Sequence, residues 1–177
     1  MKKIFYWCPF IDKVATVKAV INSCEGLKKY TDHKIPVIID AVGEFEEYEE
    51  LLKKKKIEII KLSKKNYIKN FPKYGFFASR ILYIFIFLFS LIKLNRILLK
   101  EKPDYLIAHL ITSLPIFLFL IVNYKTKLVL RISGFPKLNF LRKMFWKIAK
   151  EKISLITTPT IGTNEYLIKK NLFKKKK

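Results

Sequence analysis

The stretch Asp104–Val122, with the sequence DYLIAHLITSLPIFLFLIV, decides the fold because two different architectures could use its apolar residues. Its first part, Tyr105–Leu110, is short and apolar, which is typical of a β-strand buried inside a sheet. Thr112 or Ser113 can then cap a helix, and Pro115 falls in the first turn, where its missing N–H costs nothing. We therefore predict a strand followed directly by a helix.

A membrane hairpin is the alternative for the same residues, with Leu106–Val122 as its second arm. The first arm would be Ile81–Ile92, an unbroken run of 12 apolar or small residues. At about 1.5 Å per residue this run spans roughly 18 Å, which is short of a hydrocarbon core of ~30 Å. Lengthening it adds Lys93 and Arg96, each of which costs about 2.5–3.5 kcal/mol near the bilayer centre. We therefore favour a helix that packs on a sheet, and its apolar surface could also press on an anionic membrane.

The rest of the chain repeats the alternation of short apolar strands and helices. Such repeats form parallel sheets that are covered by helices on both faces. We predict a single α/β domain over residues 1–177, a Rossmann-like, doubly wound parallel sheet whose ligand site lies beyond the carboxyl ends of its strands. The other predicted strands are Ile4–Phe10, Val37–Val42, Ile57–Leu62, Lys127–Ser133 and Ile153–Thr158, and the other predicted helices begin near Asp12, Glu44, Phe76, Lys137 and Asn164.

The chain is strongly basic, with 36 Lys and Arg against 14 Asp and Glu and a net charge of +22. This balance favours anionic partners such as acidic lipid headgroups or phosphorylated substrates, although solvated basic faces would give the same composition. No nucleic-acid-binding motif accompanies the charge, so nucleic acid is not an expected partner. The two Cys and two His lack metal-ligand spacing, so no metal site is expected. Asp12 and Lys13 interrupt the apolar N-terminus too early for a signal peptide, which predicts a cytoplasmic protein.

The candidate catalytic residue is His109, which ends the fourth strand. Histidine is the side chain whose ordinary pKa lies near neutrality, so His109 could accept a proton from an acceptor hydroxyl. The alternative is a strand-end histidine that is hydrogen-bonded within the fold. Both interpretations place its side chain at the edge where the carboxyl ends of the strands meet.

Arg131 lies on the apolar fifth strand, where a charge is seldom buried without a partner. It could bind a phosphate or carboxylate of a ligand, or it could form an ion pair with Asp12, Asp40 or Glu44. Gly134 follows it and could supply a positive φ or a close backbone approach. The predicted substrate-binding residues at this edge are Pro9, Phe10, Asp12, Arg131, Ser133, Gly134, Thr158 and Thr160.

Four segments resemble the N-terminal, acceptor-side domain of GT-B glycosyltransferases of family 4. They read KKIFYWCPF, DYLIAHLITSLP, LVLRISGFPKLNF and SLITTPT, and the resemblance runs from Lys2 to about Phe173. It implies that His109 contacts the transferred sugar or the acceptor. It also implies that Arg131, Ser133 and Gly134 line the cleft. No GxGxxG motif follows the first strand and no P-loop or GxSxG motif appears, so no cofactor is expected beyond a nucleotide sugar as donor substrate.

The resemblance further implies sugar transfer to a surface glycan, such as lipopolysaccharide, or to a lipid-linked acceptor of a bacterial cell envelope. The domain that binds the donor in this family is missing from the chain, so we expect no transferase activity from the chain alone. The alternative function is non-enzymatic: a basic module that binds the inner membrane peripherally or binds another partner through its charge and the apolar helix Phe76–Leu99.

Overall fold

The computed structural model describes residues 2–11, 15–31, 34–70, 76–136 and 139–172. Short strands and helices alternate along these residues, as the sequence predicts. The strands are β1 (Lys2–Trp7), β2 (Lys34–Asp40), β3 (Glu58–Lys61), β4 (Tyr105–His109), β5 (Lys127–Arg131) and β6 (Ile153–Thr157). The helices are α1 (Ala15–Tyr30), α2 (Glu49–Lys54), α3 (Phe76–Glu101), α4 (Ser113–Ile121), α5 (Phe140–Ala149) and α6 (Ile161–Lys169), with short 3-10 turns at Glu46–Tyr48 and Ile68–Asn70.

The six strands form one parallel sheet in the order β3-β2-β1-β4-β5-β6. The order reverses between β1 and β4, so the chain winds outward in both directions from the centre of the sheet. This confirms the predicted α/β, doubly wound architecture. The membrane-hairpin alternative for Leu106–Val122 is wrong, because β4 pairs with β1 on one side and with β5 on the other.

Two apolar cores cover the two faces of the sheet. On one face, Tyr6 of β1 packs with Val17, Ile21 and Cys24 of α1. On the other face, Phe5 and Trp7 of β1 pack with residues of α3, α4, α5 and α6. Side chains alternate between the faces along a strand, so the sequence of each strand is apolar almost throughout. We call these the α1 face and the α3 face.

Helix α4 begins where the sequence predicts, whereas α2, α5 and α6 begin at Glu49, Phe140 and Ile161 rather than near Glu44, Lys137 and Asn164. The Thr112 side chain makes no capping hydrogen bond, so the predicted hydroxyl cap at this position is wrong; the helix begins at Ser113. Helix α6 begins at Ile161, earlier than the predicted Asn164, because the Thr160 side chain accepts a hydrogen bond from the N–H of Thr163 at 3.2 Å. A capping threonine directly after a strand end is a signal that the sequence did contain.

A candidate site at the carboxyl edge of the sheet

A cavity of about 850 Å³ opens at the carboxyl ends of β1 and β4, where the strand order reverses. The indole N–H of Trp7, at the end of β1, donates a hydrogen bond to the Ile111 carbonyl oxygen at 2.8 Å, which connects β1 to the loop after β4. Ligands of doubly wound folds bind at this position. The lining is mostly apolar, with a few hydroxyl groups and one guanidinium, and comprises Pro9, Phe10, Ile11, Ser79, Tyr83, Leu110, Ile111, Thr112, Ser113, Arg142, Met144, Phe145 and Trp146.

Of the predicted substrate-binding residues, Pro9 and Phe10 line this cavity. Asp12 lies outside the described residues, so its predicted role stays a prediction. Tyr83, Arg142 and Trp146 were not predicted as site residues; they reach the cavity from helices α3 and α5 rather than from a strand end. The apolar pattern of α3 and the amphipathic pattern of α5 carry no signal of a shared cavity.

His109 is buried, at 2% exposure, and its ring lies 6.2 Å from the ring of Tyr6 between centroids. This contact places it on the α1 face, whereas the cavity is lined chiefly from the α3 face. Neither ring nitrogen has a hydrogen-bond partner among the described residues. Burial, and secondly the positive charge of Arg131, lower the pKa of His109 to about 4. The imidazole is therefore neutral at pH 7 and keeps a nitrogen that can accept a hydrogen bond.

Arg131 is the register partner of His109 across β4 and β5, and its side chain is exposed. It forms no ion pair with any carboxylate in the part of the chain that the structure describes, which includes Asp40 and Glu44. The Arg131 guanidinium, which has no ion-pair partner among the described residues, could therefore bind an anionic group of a ligand near the neutral His109 imidazole.

The remaining predicted residues lie in the loops after β5 and β6, outside the lining of the cavity. Ser133 and Gly134 are exposed. Gly134 has no positive φ, so that prediction is wrong, and a Cβ placed on it would contact no other part of the protein within 4 Å. The Thr158 hydroxyl donates to the Thr160 carbonyl oxygen at 3.1 Å, and Thr160 caps α6. In this structure both threonines stabilise a turn.

A buried pair of carboxyl groups, which was not predicted, lies at the end of β2 and in the loop that follows it. Asp40 and Glu44 are 1% and 6% exposed. Glu44 accepts hydrogen bonds from the N–H groups of Ala41 and Val42 at 3.0 and 2.7 Å, and Asp40 accepts one from Gly43 at 2.7 Å. Burial, followed by the hydrogen-bonding and charge effects of Asp40, holds the pKa of Glu44 well above its usual range. The pair therefore stabilises the loop after β2 best when Glu44 carries a proton.

We expect the Glu44→Gln variant to lower the free energy of unfolding by about 1–2 kcal/mol at acidic pH, because an amide NH₂ cannot accept from one of the two buried N–H groups. The wild-type advantage should shrink as the pH rises. A carboxyl whose pKa is raised in the folded state stabilises that state at low pH and loses this effect as it ionises. Urea unfolding of both proteins from acidic to neutral pH measures the difference in the free energy of unfolding. A difference that widens with rising pH would contradict the raised pKa of Glu44.

No family model matches the chain, and no curated protein matches it in sequence. Solved structures do match. A UDP-N-acetylglucosamine 2-epimerase is 15% identical, with a TM-score of 0.59 over 96% of this chain and 45% of that one. The Neisseria meningitidis UDP-GlcNAc 2-epimerase, solved with UDP-GlcNAc bound, is 16% identical, with a TM-score of 0.57 over 96% of this chain and 43% of that one. The spinosyn rhamnosyltransferase SpnG, complexed with thymidine diphosphate, is 14% identical, with a TM-score of 0.53 over 90% of this chain and 45% of that one.

The chain has a GT-B-type, Rossmann-like fold. Identities of 14% to 16% show the fold alone, so membership of glycosyltransferase family 4 stays a prediction. The chain spans 43% to 45% of the length of these three matched chains. One GT-B-type half accounts for that extent, and its carboxyl edge holds the cavity, His109 and Arg131.

Proposed function

We propose that the chain is the acceptor-side half of a glycosyltransferase that moves a sugar from a nucleotide sugar to a hydroxyl of a glycan or lipid-linked acceptor. The observation that carries this proposal is the carboxyl edge of the sheet. There, His109 and Arg131 are register partners, and a cavity of about 850 Å³ that is lined by other residues opens at the same edge. Two of the similar structures contain UDP-GlcNAc or thymidine diphosphate, which supports a phosphate-bearing donor.

In the proposed reaction, the acceptor oxygen forms a bond to the anomeric carbon of the sugar while the bond from that carbon to the phosphate oxygen breaks. The hydroxyl proton passes to water as the new bond forms, and the departing diphosphate keeps the electron pair of the broken bond and so gains negative charge. Arg131 would hold that anion, since an exposed guanidinium binds phosphate oxygens in pairs. His109 would accept the hydrogen bond of the acceptor hydroxyl and orient it.

The charge of Arg131 offers a direct test, because it acts on the pKa of His109. A diphosphate bound to Arg131 would neutralise part of that charge, so the pKa of His109 should rise by about 0.5–1. We would follow the imidazole signals of the two histidines by NMR through a pH titration, without and with UDP or inorganic pyrophosphate. The Arg131→Ala variant should show a raised His109 pKa that no longer responds to either anion.

The Arg96→Ala variant is the control, because it removes the same charge from α3 and should leave the response of His109 intact. A His109 pKa that does not move with UDP would overturn the role of Arg131. An equal response in the wild type and in Arg131→Ala would do the same. Turnover of any nucleotide sugar by the purified chain would contradict the expectation that it is inactive alone.

A second candidate, interconversion of sugar epimers, is favoured by the similarity to two epimerase structures. Inversion at a carbon that bears hydrogen breaks and re-forms a C–H bond. Incorporation of solvent deuterium into a recovered nucleotide sugar, without transfer to an acceptor, would therefore support this candidate over glycosyl transfer.

A further inference from the structure

Helix α3 has two opposite apolar faces. The inner face packs in the core with residues 0–1% exposed at intervals of four: Leu82, Ile86, Ser90, Leu94 and Leu98. The outer face should be polar in a helix that simply covers a sheet. Instead it carries four aliphatic side chains that are 60–63% exposed, namely Ile81, Ile84, Leu88 and Ile92. We call these four residues the outer stripe of α3.

Helix α5 repeats this arrangement on a smaller scale. Trp146 and Ala149 are buried against the core. Phe140, Met144 and Ile148 recur at intervals of four on the outside and are 78%, 47% and 59% exposed. We call these three residues the outer stripe of α5. Scattered single exposed apolar residues are ordinary, whereas aligned stripes on two helices mark an interaction surface.

Both helices are basic and lack acidic residues over the lengths that carry the stripes. Residues 76–100 and 139–150 contain no Asp or Glu. Glu101, at the end of α3, is paired with Lys3 at 2.9 Å. The Lys93 ammonium lies 3.4 Å from the centroid of the Phe89 ring, so its aliphatic stem lies along the helix. The basic residues of the two segments are Arg80, Lys93, Arg96, Lys100, Arg142, Lys143, Lys147 and Lys150.

Helix α3 lines the cavity with Ser79 and Tyr83, which lie on the same side of the helix as the buried residues Leu82 and Ile86 rather than on the outer stripe. Met144, which belongs to the outer stripe of α5, lines it from the other side. Helix α4 packs against both helices and sets their spacing. Both outer stripes therefore lie on helices that contact α4 on the α3 face of the sheet.

We propose that the outer stripes of α3 and α5 seat the chain on an anionic lipid bilayer. Apolar side chains ringed by basic ones, without acids, complement acyl chains beneath negatively charged headgroups. The segment Ala78–Glu101 is long and apolar enough to cross a membrane by length and composition. In this proposal the segment lies on the membrane surface and does not cross the membrane, because its inner face packs in the core beside the sheet. This inference does not depend on the proposed glycosyl transfer.

The test is flotation of the full chain with vesicles of phosphatidylcholine alone or with about one quarter phosphatidylglycerol. We expect binding to the anionic vesicles at about 0.1 M salt, and part of it should survive about 1 M salt because the stripes insert into the bilayer. The Leu88→Glu variant should weaken partitioning at least about tenfold, because an apolar side chain that inserts among the acyl chains is replaced by a charged one.

The matched control is Leu51→Glu, which makes the same change at a site 40% exposed on α2, the helix whose Leu52 packs in the core of the α1 face. It should alter partitioning by less than about twofold, because Leu51 lies outside both stripes. Urea unfolding of both variants checks that each remains folded. Three results would overturn the proposal: no binding of the wild type to anionic vesicles, equal losses in the two variants, or self-association through Leu88 in sedimentation without vesicle binding.

Discussion

Replacing Gly43 with alanine is expected to lower the free energy of unfolding by about 3 kcal/mol. Gly43 has a φ of 90°, a conformation that costs a residue with a side chain about 1–2 kcal/mol. An added Cβ would also lie 2.5 Å from the Asn66 Cα, a backbone atom that cannot rotate away. Forced overpacking of this kind costs about 1–3 kcal/mol more. Equilibrium urea unfolding at neutral pH measures the sum.

Gly134→Ala is the matched control for this prediction. The Cβ at that position would meet nothing within 4 Å, and its backbone lies outside the positive-φ region. We expect a change of less than about 0.5 kcal/mol, as for an ordinary surface substitution. If the two variants lost the same stability, the close approach between the Gly43 loop and Asn66 would not exist in solution.

The second large effect is a dependence of stability on pH that comes from His109. Its pKa in the folded chain is about 4, whereas an unfolded histidine titrates near about 6.5. Between these values the unfolded chain binds more protons, so stability falls as the pH falls. The stabilisation is complete above about pH 6.5, and about 3 kcal/mol of it is lost by about pH 4.

The His109→Leu variant isolates this effect, because leucine fills similar space and does not titrate. The fall between about pH 6.5 and about pH 4 should be smaller in the variant by about 3 kcal/mol. Glu44 acts in the opposite sense, since its pKa is raised, but it contributes equally to both proteins. The difference between their unfolding curves therefore reports on His109, and parallel pH profiles would show that His109 titrates normally in the folded chain.

The architecture could be predicted from the sequence because local patterns decide it. The strand predicted at Tyr105–Leu110 is observed at Tyr105–His109, and the helix predicted at Phe76–Leu99 is observed at Phe76–Glu101. Apolar strands that alternate with helices leave few ways to cover a parallel sheet. Thr112 is the N-cap residue of α4, one of the two positions predicted, but its hydroxyl does not make the predicted capping hydrogen bond.

The site could be predicted only in part. The topology alone brings His109 and Arg131 together, because adjacent parallel strands end at the same edge. The cavity depends instead on how α3 and α5 pack near that edge, and no local sequence pattern predicts this packing. Glu44 shows the same limit: its sequence context, Glu44–Glu50, is typical of a solvated acidic helix start, yet the fold buries it beside Asp40.

The central position of β1 has a consequence for synthesis of the chain. The Trp7 indole donates a hydrogen bond to the carbonyl of Ile111, 104 residues later in the chain. Strand β1 pairs with β2 on one side, and it can pair on its other side only after β4 has been synthesised. Until then the nascent chain carries an aromatic strand with one free hydrogen-bonding edge, the kind of segment that associates with other chains. Production in a heterologous host should therefore be limited by aggregation during translation, and slower elongation or more chaperone should raise the soluble yield.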